Sequence, residues 1–183
     1  MSKFEVELRG LLEDVQRENL EKLLRNKGKL VRKYKRTQWI FGLSHRKKID
    51  LRIKNTNGEY EFSLKTGAAQ HFNRREISIP FPKEKADQAL EFLKLLGKKE
   101  GVIAIRNANI YMYKGIEWAI VEVPNHSYYF EAEKMADDKA TGEKARLEIK
   151  KIVTSLGLSI LSSKQTVEYI KVLDKEANEK FEL

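Results

Sequence analysis

A chain of 183 residues with 41% hydrophobic and 34% charged residues carries enough apolar material for one core, and the charged share is high for a globular domain. Its net charge of +9 calls for an anionic partner such as a nucleotide, a polyphosphate or a nucleic acid. The lack of cysteine excludes disulfides, thiolate metal sites and cysteine nucleophiles, and no stretch approaches the roughly 20 apolar residues of a membrane-spanning helix. The N-terminus is charged by its third residue, so the expectation is a cytoplasmic protein without a secretory leader and without a membrane partner.

Residues 3–9 alternate apolar and charged side chains, the period of a strand. Leu12, Val15, Leu20, Leu23 and Leu24 recur at helical spacing over 13–28, and Gly28 is the stop. Leu30 to Ile40 and Ile49 to Lys54 read as strands, the second with Asp50, Arg52 and Lys54 on one side. Asn55-Thr56-Asn57-Gly58 is a hairpin turn, and Tyr60 to Lys65 is its return strand. Arg74 to Phe81 is a further strand, ended by Pro80 and Pro82. Lys83 to Leu96 is a second amphipathic helix, closed by Gly97. Val102 to Arg106, Ile110 to Lys114, Ile116 to Val123 and Tyr128 to Lys134 read as consecutive strands, with turns near Asn107 and Gly115. Asp137 to Ser155 is a third helix, and Ser162 or Ser163 caps a fourth. The charged tail after Asp174 is expected to fray. Eight strands and three or four helices make an α+β domain over residues 1–183. If its antiparallel sheet closes into an eight-stranded barrel with flanking helices, there is room inside for a ligand.

Sorting strand residues by face gathers Glu5, Glu7, Arg9, Arg52, Lys54, Lys65, Glu76, Arg106, Glu131 and Glu133 on one side. A soluble antiparallel sheet often turns such a face to water. Turned inward, the same face makes a charged cavity that needs water, metal and a ligand anion to neutralise it. Carboxylates can hold Mg²⁺ or Mn²⁺, while Arg and Lys grip phosphate oxygens. The run Lys29 to Lys35, with Arg46-Lys47-Lys48, reads as a solvated basic surface able to touch RNA weakly and in a salt-dependent way. His45, His71 and His126 lack metal-ligand spacing and read as loop residues; Trp39 and Trp118 read as core or rim.

The ordered motifs resemble the CYTH family of the triphosphate tunnel metalloenzymes, which contains class IV adenylate cyclases and thiamine triphosphatases. The N-terminal Glu-x-Glu-x-Lys signature stands here as Glu5-Val6-Glu7-Leu8-Arg9. Leu51-Arg52-Ile53-Lys54, Phe62-Ser63-Leu64-Lys65, Glu76 and Arg106 follow in family order. Glu122 and Tyr129-Phe130-Glu131-Ala132-Glu133 match the late acidic signature, Leu156-Gly157-Leu158 the end of a long helix, and Lys164 a closing basic position. The departures are Arg9 for Lys, Lys54 for Arg, Glu122 for Asp, Ala104 where a second basic residue is usual, and no Asp-x-Tyr between Lys35 and Phe41.

What the resemblance implies is a tunnel that binds a triphosphate-containing small molecule. Glu5, Glu7, Glu122, Glu131 and Glu133 would hold Mg²⁺ or Mn²⁺. Arg52, Lys54, Lys65, Arg106 and Lys164 would bind phosphate, and Arg9 and Glu76 would serve catalysis. The implied activity is metal-dependent hydrolysis of inorganic or organic triphosphate. The alternatives are a class IV-like cyclase making cyclic AMP and a catalytically impaired binder of polyphosphate, nucleotide or RNA. Both a monomer and a homodimer fit the sequence.

Overall fold

The computed structural model describes residues 4–42, 49–66 and 73–183; His45, Arg46, Lys47, Lys48 and His71 lie outside them. Among these described residues, nine strands and four α-helices run in the order β1 (Phe4–Leu12), α1 (Asp14–Lys27), β2 (Lys29–Phe41), β3 (Ile49–Thr56), β4 (Glu59–Thr66), β5 (Asn73–Phe81), α2 (Ala86–Leu95), β6 (Glu100–Tyr113), β7 (Ile116–Val123), β8 (Ser127–Ala136), α3 (Lys139–Ser155), α4 (Ser163–Glu176) and β9 (Glu179–Glu182). The fold is α+β, as expected. All strands join one antiparallel sheet in the order β2-β3-β4-β5-β1-β8-β7-β6-β9. A further pairing sets β2 against β6, from Lys29 opposite Met112 to Phe41 opposite Gly101, so the sheet curves back onto its own first strand. Among the described residues no helix is long and apolar enough to cross a membrane.

Two expectations about elements are corrected. Val102 to Arg106 and Ile110 to Lys114 are one strand, β6, with no turn at Asn107. Arg106, Asn107, Ala108 and Asn109 keep strict alternation there, and Asn107 pairs with Glu122 on β7 and Lys35 on β2. The segment after Asp174 does not fray: it completes α4 and returns as β9, a ninth strand, against Glu100–Ile103. Gly101 permits this close docking, because a Cβ there would stand 2.0 Å from the Ile40 carbonyl and 2.8 Å from the Phe181 ring. The hairpin at Asn57-Gly58 is as expected, with both residues at positive φ.

The main apolar cluster sits outside the curved sheet, and a smaller one, with Ile110, Ala119 and Tyr129 against Tyr169 and Leu173 of α4, lies on its inner side. Val6 and Leu8 of β1, Trp118 and Ile120 of β7, and Phe130 and Ala132 of β8 pack under Leu20 and Leu24 of α1 and Ala145, Ile149 and Val153 of α3. A further cluster packs Phe41 and Ile53 under Ala89 and Leu93 of α2. Period-2 alternation therefore sends the opposite set, the charged one, to the inner side.

Two local devices place the last helix. Gly157, at φ +70°, ends α3 in a Schellman arrangement, with Leu158 N–H donating to Val153 O and Gly157 N–H to Thr154 O. The chain then crosses β1, where Leu161 N–H donates to Arg9 O at 2.8 Å. Gly10 makes that crossing possible: a Cβ on it would lie 2.0 Å from Ser159 O and 2.5 Å from the Phe130 ring. Gly10→Ala is expected to lower unfolding free energy by about 1–3 kcal/mol, the usual range for overpacking. A urea midpoint equal to that of the wild type would contradict this account of the crossing.

Candidate functional site

The inner face of the sheet and one side of α4 enclose a cavity of about 310 Å³. Among the described residues, seven carboxylates line it: Glu5, Glu7, Glu76, Glu117, Glu131, Glu133 and Asp174. Seven cations face them: Arg9, Arg32, Arg36, Arg52, Lys54, Lys65 and Arg106. Among the described lining residues the formal charges balance, seven against seven. The α4 side is bounded by Thr166, Tyr169, Ile170 and Leu173, with Tyr129 edge-on to Tyr169 at 5.9 Å. Tyr169 is tied to the β7–β8 turn through Ser127 Oγ at 2.9 Å.

One region is acidic by register. Glu7 stands directly opposite Glu133 across β1 and β8, and Glu133 directly opposite Glu117 across β8 and β7. Like charges in that relation repel. Burial, followed by repulsion from Glu5, Glu7 and Glu117, pushes the Glu133 carboxyl up to about 8. Burial, with Glu7 and Glu76 adding to it against the pull of Lys65, pushes Glu5 up to about 7. Glu131 is likewise raised, by burial and then Glu7. Glu7 goes the other way: burial raises it, but Arg9 and Lys65 outweigh that and hold it at about 2. Arg9 donates Nε–H to Glu7 Oε1 at 2.8 Å and stands 3.1 Å from Glu131, so it bridges two of the acids.

The other region is basic. Arg52 makes a fork onto Asp50, which is fully buried, with Nε–H to Oδ1 at 2.8 Å and a terminal N–H to Oδ2 at 2.6 Å, and a further N–H reaches Gln38 at 2.8 Å. Lys54 and Lys65 share Glu76, at 2.6 and 3.0 Å, and Ser63 donates to the same carboxylate at 2.6 Å. Burial raises Glu76, but Lys65 and Lys54 overcome it and hold it at about 2. Arg106, nearly buried, donates to Ile105 O and to Asn178 Oδ1 at 3.1 Å.

Ten expected residues converge here: Glu5, Glu7, Arg9, Arg52, Lys54, Lys65, Glu76, Arg106, Glu131 and Glu133. Two do not. Glu122 shares the outward parity of Trp118 and Ile120 and accepts from Asn107 at 2.8 Å; Glu117, of inward parity, is the carboxylate β7 contributes. Lys164 is exposed, because α4 turns Ser163 and Thr166 to the cavity instead. Residues not foreseen in the site are Arg32, Tyr34, Arg36 and Gln38 of β2. Their period-2 spacing inside the basic run was the available signal. Lys29, Lys33 and Lys35 of that run are exposed, as a solvated surface requires. Trp118 is fully buried core, and His126 sits at a turn, 2.7 Å from Ser127 Oγ.

Among the described residues, no three carboxylate or imidazole groups converge tightly enough to hold a metal as they stand. The donor set is nonetheless that of a hard cation: carboxylate oxygens alone, on three neighbouring strands, in mutual repulsion that a divalent ion would relieve. Mg²⁺ and Mn²⁺ take such oxygens and keep several waters.

No family model matches the chain, and no curated protein matches it. Solved structures do. A protein of Pyrococcus horikoshii OT3 aligns over 91% of this chain and 98% of its own, at 23% identity and TM-score 0.72. A "putative adenylate cyclase" of Vibrio parahaemolyticus aligns over 92% and 99%, at 15% identity and TM-score 0.68. A "putative adenylyl cyclase" of Hippeastrum, described as having a dominant triphosphatase activity, aligns over 96% and 100%, at 14% identity and TM-score 0.63. At these identities the likeness shows the fold alone: the chain shares the fold of structures described as putative adenylate cyclases, in line with the family resemblance carried by the sequence motifs.

The acidic region has a pH signature. Without metal, Glu5 and Glu133 keep their protons in the folded chain up to about pH 7 and 8, whereas the unfolded chain releases them near 4.5. In that window the unfolded state binds fewer protons, so stability falls as pH rises from about 4.5 to about 8. Glu7 and Glu76 have the opposite sign: their stabilisation is present above about 4.5 and is lost as pH falls toward 2. In EDTA, Glu133→Gln is expected to raise the thermal midpoint at pH 8 and to change it little at pH 4. An equal shift at both pH values would show that repulsion in the acidic row is not the cause.

Proposed function

We propose that the sheet works as a closed eight-stranded barrel, β9 standing outside the ring, and that its cavity is the active site of a metal-dependent triphosphatase acting on inorganic or organic triphosphate. The observation that carries this reading is the division of one cavity into a carboxylate row and a set of guanidinium and ammonium groups. A polyphosphate chain with its divalent counter-ion is the ligand class that neutralises both at once. The β2–β6 pairing supports the barrel, and the fold shared with the cyclase and triphosphatase structures supports the chemistry.

Glu5, Glu7, Glu131 and Glu133 are the residues that would hold Mg²⁺ or Mn²⁺, with Glu117 in place of Glu122 as their β7 neighbour. When bound, the ion supplies neutralisation of phosphate oxygens and a lowered pKa for the water it carries. Arg52, Lys54, Lys65 and Arg106 bind the phosphate chain and stabilise charge on the transferring and leaving oxygens. Asp50 and Gln38 fix the Arg52 fork before substrate arrives. Water attacks the terminal phosphorus in line with the departing diphosphate oxygen, whose bond to phosphorus breaks. Arg9 stays protonated throughout and takes no proton; it orients Glu7 and Glu131. Glu76 orients Lys54 and Lys65.

Arg9 also favours a second reading. A guanidinium locked between two of the acids occupies coordination space, as in a binder that no longer turns its ligand over. Incubation of the protein with inorganic triphosphate or ATP and Mn²⁺ separates the outcomes. Orthophosphate release abolished by EDTA is expected; cyclic AMP would assign a cyclase, and tight binding without turnover would assign a binder. Glu131→Gln is expected to cut metal-dependent turnover by about 100-fold or more, the scale of lost charge stabilisation. Lys164→Gln is expected to leave it unchanged. Full activity in Glu131→Gln would remove the acidic row from the mechanism.

A further inference from the structure

Five of the seven described cavity cations have a carboxylate partner, and the two exceptions define a second feature. Arg9 pairs with Glu7 and Glu131, Arg32 with Glu117 at 2.9 Å, Arg52 with Asp50, and Lys54 and Lys65 with Glu76. Arg36 and Arg106 have no carboxylate within ion-pair distance among the described residues. Arg36 donates Nε–H to Thr56 Oγ1 at 2.9 Å and lies over the Tyr34 ring at 4.2 Å, and among the described residues its terminal amino groups have no acceptor. Arg106 reaches only a backbone carbonyl and an amide oxygen, both neutral. These two arginines are direct partners in the β2–β6 register, and both line the cavity. Two like charges placed opposite each other on an inner sheet face destabilise the fold unless an anion lies between them.

The geometry points to Arg36 and Arg106 as a metal-independent clamp for one terminal phosphoryl group, on the β2–β6 side of the cavity. Planar guanidiniums offer paired N–H donors matched to a tetrahedral oxyanion, and neither would have to break an ion pair to engage it. Tyr34 and Thr56 hold Arg36 in place, and Asn178 holds Arg106. Ala104, two residues before Arg106 and opposite Gln38, leaves the neighbouring register position without charge, so the second cation comes from β2. The clamp rests on the triphosphate reading only for the identity of the anion. It adds to that reading that one phosphoryl group of the chain is held by arginine without metal.

Calorimetric titration of the whole chain with inorganic triphosphate in EDTA tests the clamp. Wild type is expected to bind without metal. Arg36→Gln and Arg106→Gln are each expected to weaken that binding tenfold or more, and Arg36→Lys to recover part of it. Lys33→Gln, the exposed neighbour on the same strand, is expected to bind as wild type does. Circular dichroism melts identify any variant that has unfolded, and Arg36→Lys then carries the comparison. No binding by wild type in EDTA, unchanged binding by Arg36→Gln, or an equal loss in Lys33→Gln would each overturn the clamp. Mn²⁺-dependent orthophosphate release is read separately. Release without binding in EDTA would defeat the clamp and leave the triphosphatase reading standing, and the reverse result would do the opposite.

Discussion

Among the described residues, seven carboxylates and seven cations share one cavity of about 310 Å³, and the pairing among them is what allows a sheet to fold with its charged face inward. An unpaired charge taken from water would be costly, and removing one partner of a buried pair leaves the other stranded. The fold meets this by register. Arg9 sits opposite Glu131, Lys65 opposite Glu76, and Asp50 beside Arg52 on one strand face. Register sets like charges opposite each other at Glu7–Glu133–Glu117 and at Arg36–Arg106; Arg9 takes up Glu7 and Arg32 takes up Glu117, while Glu133 has no ion pair among the described residues. Those two places are where a cation and an anion would be worth most.

The helices follow from the same constraint. With charge inside, the apolar residues of β1, β7 and β8 face outward and need cover, which α1 and α3 provide. α4 differs: it bounds the cavity, and its position depends on the tight crossing at Gly10 and on Tyr169 docking to Ser127. The chain's net charge of +9 can draw anions toward the protein with a strong dependence on salt.

Much of this was legible in the sequence, because period-2 alternation fixes which side chains share a face once a strand is recognised. Glu5, Glu7 and Arg9 are the simplest case, and Glu131 and Glu133 the next. The misses have physical causes. Glu122 was aligned by motif spacing, but strand parity on β7 sends it outward with Ile120. Arg36 was hidden inside a run of basic residues whose other members are exposed, and a bulge between Leu30 and Arg32 shifts the register through it. Asn107 imitated a turn residue while pairing on both sides within β6. The docking of β9 depends on Gly101 meeting Phe181 across 80 residues, a tertiary contact that no local pattern announces.

The central claim is that the inward carboxylate row is a cation site set against an arginine-lined phosphate site. Anomalous scattering from a crystal grown with Mn²⁺ and inorganic triphosphate tests it most directly. The account predicts a manganese peak beside Glu7, Glu131 and Glu133, with phosphate density running toward Arg52 and Arg106. Manganese bound only to exterior carboxylates, with the cavity holding water alone, would contradict it.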